Sequence, residues 1–148
     1  MSSNYKESFD QIKIAGSLAA DALDEVTSYV KPEVKTAKLD KICYEFIRDN
    51  GGHSAPLYYR GFPKSSCTSV NHVVCHGIPA DKYLKEGDIV NIDVTSIVNG
   101  WHGDTSRMFF VGEVSVKSKK LVSATYNSMM KAISIIKSGI YLGDIGEA

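Results

Sequence analysis

The dipeptide Asn99-Gly100, set between the runs Val90–Val98 and Trp101–Phe110, constrains this chain more than any other feature. Asn-Gly between two strand-like runs is the signature of a two-residue type I′ hairpin, because both central residues must take a left-handed conformation. That turn fixes the pairing. Val98 stands opposite Trp101, Thr95 opposite Asp104, and Asp93 opposite Ser106. Paired residues share a face of the sheet, so Asp93 and Asp104 share one as diagonal neighbours, roughly 7–8 Å apart at the backbone. A loop one residue longer would slip the register and put them on opposite faces. An unpaired carboxylate inside the apolar stretch Ile89–Val94 is costly to bury, whereas hard oxygen donors suit a divalent ion such as Mn, Fe(II), Co or Zn. Two aspartates on a solvated face is the competing reading.

Helical periodicity flanks the hairpin. From about Phe9 to Val30, apolar residues recur at three- and four-residue steps (Ile12, Ala15, Ala19, Ala22, Leu23, Val26), and Lys31-Pro32 ends the run. A second helix is predicted from about Ala37 to Arg48, with Leu39, Ile42, Cys43, Phe46 and Ile47 inward and Asn50-Gly51-Gly52 as its stop. Strands and turns follow from Ser54 to Phe110, including a strand over Thr68–Val74 and a turn at Glu86-Gly87-Asp88. The helical period returns from about Lys117 to Lys137. Helices, then strands, then a helix favour an α+β class. The chain has 148 residues, the size of one domain. Lys+Arg and Asp+Glu balance at 17 each, which gives no electrostatic reason to expect nucleic acid or an anionic membrane as partner. No apolar run approaches the roughly 18 residues of a membrane span, and the N-terminus carries no secretory h-region. Three cysteines, Cys43, Cys67 and Cys75, fit free thiols in a reducing cytoplasm better than a disulfide framework.

Tyr29–Ile42 can be laid over Ile135–Ala148 without a gap. Val30, Lys31, Val34 and Leu39 then fall on Ile136, Lys137, Ile140 and Ile145. An internal repeat and a chance likeness between two helix junctions explain this equally well. The segment CTSVNHVVCHGIP gathers Cys67, His72, Cys75 and His76, which could suggest structural zinc, but the spacing argues against it. On a strand His72 and His76 lie about 13 Å apart, and no CxxC pair is present. His76, beside Gly77 at a strand end, reads better as a hydrogen-bonding residue facing a substrate; an ordinary packed or surface histidine is the alternative.

Taken together, the segments IKIAGSLAADALDEV, YYRGFPKSSCTSVNHVVCHGIP and LKEGDIVNIDVTSIVNGWHGDTSRMFFVGE resemble type I methionine aminopeptidase, over nearly the whole chain. The resemblance implies a pita-bread fold, two pseudo-symmetric αβ halves around a central site. It implies two divalent ions (Co, Mn, Fe or Zn) bridged by carboxylates. The implied activity removes the N-terminal methionine of nascent polypeptides when the next residue is small, in the cytoplasm, by a monomeric enzyme. Asp93 and Asp104 match the family's first two metal ligands, and His76 its substrate-binding histidine. Tyr59, Phe62 and Cys67 match positions of the methionine pocket, with Trp101 a further candidate. Glu33 stands where the family often has glycine, and Pro56 where pocket cysteines are seen.

The remaining ligands of the family, a histidine and two glutamates, have no counterpart segment here, and neither does its further catalytic histidine. The expectation is therefore a first pseudo-repeat at about 9–112 and the start of a second at about 117–148. An incomplete chain of this kind binds metal weakly, has no meaningful activity alone, carries no certain catalytic residue of its own and tends to self-associate. A non-catalytic pita-bread module that holds peptides or proteins is one competing function. A prolidase or aminopeptidase P-type metallopeptidase is another.

Overall fold

The computed structural model describes residues 5–148. Two helices come first, α1 (Tyr5–Thr27) and α2 (Thr36–Asp49). Four strands follow: β1 (His53–Ser54), β2 (Cys67–Val70), β3 (Ile89–Val98) and β4 (Trp101–Phe110). The chain closes with α3 (Val116–Ser134) and α4 (Leu142–Glu147). These elements form two compact units, divided between Glu113 and Val114.

In the first unit β3 is the central strand, and every pairing is antiparallel. β4 pairs with it along its full length, Val98 opposite Trp101 and Ile89 opposite Phe110. On the other edge β2 lies against Val90–Asp93 and the short β1 against Ser96 and Ile97. One face of β3 is apolar. Val90, Ile92 and Val94 are fully buried there with Leu23, Val26, Leu39, Cys43 and Ile47 from the two helices. Each such side chain contributes about 1.5–3 kcal/mol on burial, which holds α1 and α2 on this face. The opposite face carries Asn91, Asp93 and Thr95 and is left open.

The helix packs closely enough to dictate residues on the sheet. A Cβ on Gly103 of β4 would lie 2.2 Å from the Ala15 carbonyl carbon and from the Gly16 nitrogen, so no side chain fits there. Beside it the Ser96 hydroxyl donates to the Ala15 carbonyl at 2.7 Å.

The strand expected over Thr68–Val74 is shorter than its residue types suggest. Asn71 takes a left-handed conformation (φ 55). Its side-chain oxygen accepts from the Ile89 amide at 3.0 Å and its amide donates to Asp88 at 2.8 Å. The side chain thus satisfies the backbone in place of a continued ladder. α1 also starts earlier and ends earlier than its apolar period implied. Its C-terminus lies at Thr27, whose hydroxyl donates to the Leu23 carbonyl at 2.7 Å.

The second unit holds α3 and α4. Ser115 caps α3 by accepting from the Ser118 amide at 3.1 Å. No residue of α3 is buried. α4 begins at Leu142, the position that the alignment above lays over Thr36, the first residue of α2. Among the described residues no helix is long and apolar enough to cross a membrane.

Candidate metal and substrate site

The hairpin register is the one that the Asn99-Gly100 turn demands. Both residues are left-handed, at φ 51 and φ 82. Thr95 pairs with Asp104 and Asp93 with Ser106, so both carboxylates stand on the open face of the sheet. The Thr95 hydroxyl donates to Asp104 Oδ1 at 2.7 Å and fixes that side chain. Burial, and then the neighbouring Asp104 carboxylate, push the Asp93 carboxyl above its ordinary range, while His76 pulls it the other way. Burial and a neighbouring negative charge both disfavour the ionised form of Asp93. That is the electrostatic state a divalent cation relieves.

Both aspartates line a cavity of about 810 Å³. Tyr59, Phe62, Cys67 and His76 line it too, so the six residues singled out from sequence are brought together. Trp101 is not among them. Side chains alternate along β4, so Trp101 shares a face with Gly103, against the helices, and His102 lines the cavity in its place. The same alternation, counted back from Asp104, was the signal for His102.

Each wall is set by local structure. Cys67 opens β2 and pairs with Asp93. The residues before it are tied down by Asp40, a buried carboxylate on α2 whose Oδ1 accepts four hydrogen bonds. They come from the Ser65 and Ser66 amides at 3.0 and 2.9 Å and from their hydroxyls at 2.7 and 2.8 Å. Nothing in the sequence pattern distinguished Asp40 from a surface aspartate. Burial, then Asp93, push the Cys67 thiol up to about 11, so it stays a neutral, soft contact surface at neutral pH. His76 is presented by a loop that folds tightly onto β2. The Gly77 carbonyl accepts from the Thr68 amide at 2.7 Å, and a Cβ on Gly77 would meet the Thr68 oxygen at 2.3 Å. Glycine is required there, and it leaves His76 exposed in a left-handed conformation at φ 54.

The donor set fits a hard divalent cation, with Asp93 and Asp104 as the residues that would hold it. Among the described residues no third His, Cys, Asp or Glu joins them in a cluster able to hold an ion. His76 lines the same cavity.

Comparison with known proteins fits this geometry. Residues 10–148 match the model of metallopeptidase family M24. A methionine aminopeptidase of Rickettsia prowazekii is 56% identical over 143 residues, covering 97% of this chain and 55% of that protein. The crystal structure of that organism's enzyme superposes with a TM-score of 0.94 over 95% of this chain and 57% of that one. A methionine aminopeptidase from Thermotoga maritima superposes with a TM-score of 0.92 at 35% identity, again over 95% of this chain and 57% of the other. The chain thus spans about half the length of the curated relatives it matches and shares the αβ architecture of the pita-bread aminopeptidases. It belongs to metallopeptidase family M24.

Proposed function

We propose that these residues form part of a metal-dependent aminopeptidase that removes the N-terminal methionine from nascent polypeptides in the cytoplasm. The observation that carries the reading is the placement of Asp93 and Asp104 on one sheet face, opening into the cavity walled by Tyr59, Phe62 and Cys67. Asp93 and Asp104 hold one side of a site for two divalent ions, Mn, Fe(II), Co or Zn. When bound, such ions lower the pKa of water and polarise a carbonyl oxygen. The aromatic faces of Tyr59 and Phe62 and the sulfur of Cys67 suit a flexible thioether side chain. His76, at the cavity wall, donates a hydrogen bond to the amide at which the peptide is cut.

Two carboxylates leave most coordination positions of two ions unfilled. The reading therefore takes further ligands from outside these residues. It assigns about 9–112 to one pseudo-repeat and about 117–148 to the start of another, in an enzyme that works as a monomer. Purified residues 1–148 alone should bind metal weakly and leave Met-Ala-Ser uncut.

The test uses the full-length enzyme. Asp93→Asn and Asp104→Asn should each strip metal and abolish release of methionine from Met-Ala-Ser. His76→Ala should lower kcat/KM by about 10²–10⁴-fold with metal content unchanged. A peptidase that keeps its activity without both aspartates overturns the metal assignment. Metal loss in His76→Ala makes the histidine a ligand instead. A protein that binds such peptides without cutting them is the non-catalytic module.

A further inference from the structure

Arg60 is a charge in the cavity wall that the aminopeptidase reading leaves unused. It lines the same cavity as Asp93 and Asp104 and lies within the turn Tyr59–Gly61. That turn is tightly held. Tyr58 donates to the Phe62 carbonyl at 2.8 Å, Tyr59 to Pro56 at 2.9 Å, and Phe62 back to Tyr59 at 2.9 Å. Tyr58 and Arg60 are both left-handed, at φ 68 and φ 47. Non-glycine residues occupy that region at a cost, and do so where the surroundings over-determine them. The turn therefore fixes where the Arg60 backbone stands on the cavity wall.

The guanidinium is also uncommitted to any acid. Its aromatic neighbour is Tyr59, with 5.4 Å from the guanidinium carbon to the ring centroid. Among the described residues no carboxylate forms an ion pair with it. The residue is exposed, so its charge is solvated and available. The cavity is thus polarised, with two carboxylates on the sheet and a solvated cation beside the aromatic wall.

We infer that Arg60 selects substrates with an acidic side chain at their third residue. The inference rests on the aminopeptidase reading and adds the direction of the peptide to it. With the amino terminus toward Asp93 and Asp104, the first side chain lies against Tyr59 and Phe62. In an extended peptide alternate side chains point the same way, so the third follows the first onto this wall, about 7 Å further along. Arg60 stands between Tyr59 and Phe62 in sequence and projects from the same turn. A guanidinium pairs with a carboxylate through two parallel hydrogen bonds, and stacking on Tyr59 leaves its edge free to do so.

The experiment measures kcat/KM of the full-length, metal-loaded enzyme on C-terminally amidated Met-Ala-Asp-Ser and Met-Ala-Asn-Ser. An exposed pair of this kind corresponds to about a two- to fivefold preference for the aspartate peptide. The preference should shrink at about 0.5 M salt, where the Debye length falls to about 4 Å and an exposed pair is partly screened. It should disappear in Arg60→Gln, persist in part in Arg60→Lys, and turn toward Met-Ala-Lys-Ser in Arg60→Glu. The readout is the ratio of two substrates within one variant, so a general loss of activity cancels. Binding of the two peptides to metal-free enzyme, measured by calorimetry, should fall in the same order. Equal use of both peptides, or a ratio that survives Arg60→Gln, overturns this inference alone. An enzyme that leaves the asparagine peptide uncut overturns the aminopeptidase reading, and this inference with it.

Discussion

Leaving α1, the chain passes through Glu33 at φ 67 and enters α2 at Thr36. Leaving α3, it passes through Gly139 at φ 92 and enters α4 at Leu142. The gapless alignment of Tyr29–Ile42 with Ile135–Ala148 puts Glu33 on Gly139 and Lys35 on Tyr141. Both of these last residues are extended, at φ −75 and φ −95, and each precedes its helix. The two junctions share a backbone plan, yet their helices differ in burial. α1 buries Ala15, Leu18, Ala19, Ala22, Leu23 and Val26, while α3 buries none and exposes Leu121, Met129, Met130 and Ile133. Local sequence sets the path of the chain at both sites. Whether an amphipathic helix is held by packing depends on having a sheet face to lie on, and in the first unit β3 and β4 supply it.

The largest expected effect comes from truncating one residue of each helix at matching positions. Carried upstream without a gap, the alignment sets Leu23 against Met129. Leu23 is 1% exposed and Met129 is 49% exposed. Leu23→Ala should cost about 2–5 kcal/mol in chemical denaturation. Met129→Ala, in the same 148 residues, should stay within about 0.5 kcal/mol. Comparable losses for the two would mean that α3 is packed as α1 is, and the contrast would collapse.

The next test adds a methyl group instead of removing atoms. Gly103→Ala drives a Cβ into the backbone of α1 at Ala15 and should cost about 1–3 kcal/mol or more by overpacking. Gly143→Ala in α4 meets nothing within 4 Å and, in the first turn of a six-residue helix, should gain no more than about 0.5 kcal/mol of helix propensity. A neutral Gly103→Ala would show that α1 can slide on the sheet, so that the fit of helix to strand contributes little.

The same contrast between local and long-range control explains what could be read in advance. The hairpin was legible down to its register because Asn99-Gly100 fixes it within a few residues, and the facing of Asp93 and Asp104 followed. The turn at Tyr59–Gly61 and the two-residue strand β1 left no periodic trace. The turn, whose hydrogen bonds are local, is too short to show a period, and β1 is held by its pairing with Ile97 and Ser96 on β3, which no pattern within the segment announces. Asp40 was hidden for the same reason, since its partners lie 25 and 26 residues away. Trp101 was misread because its aromatic character was weighed without its parity on the strand. His102 was missed by the same omission.

The smallest expected effect tests the repeat itself, by exchanging the residues at its matching turn. At φ 67 Glu33 sits in a region that costs an ordinary residue about 1–2 kcal/mol, and its exposed side chain has no part in the core. Its amide is used, donating to the Leu84 carbonyl at 2.9 Å, and glycine keeps that donor. Glu33→Gly relieves the backbone but adds about 0.5–1 kcal/mol of freedom to the unfolded chain. The net should be a gain below about 1 kcal/mol, which for a chain of this size is a rise of about 2–4 °C at most. Gly139→Ala runs the other way. No atom lies within 4 Å of its added Cβ, so any penalty is conformational rather than steric. The left-handed cost outweighs the reduced entropy of the unfolded chain, leaving a loss of up to about 1 kcal/mol. Because the junction carries little buried surface, that loss should appear as faster amide exchange in α4 rather than as a lower global Tm. A fall in Tm for Glu33→Gly would show that the Glu33 turn is not strained. Unchanged exchange in α4 for Gly139→Ala would show that the second turn does not need its glycine, and the likeness of the two junctions would then be one of sequence alone.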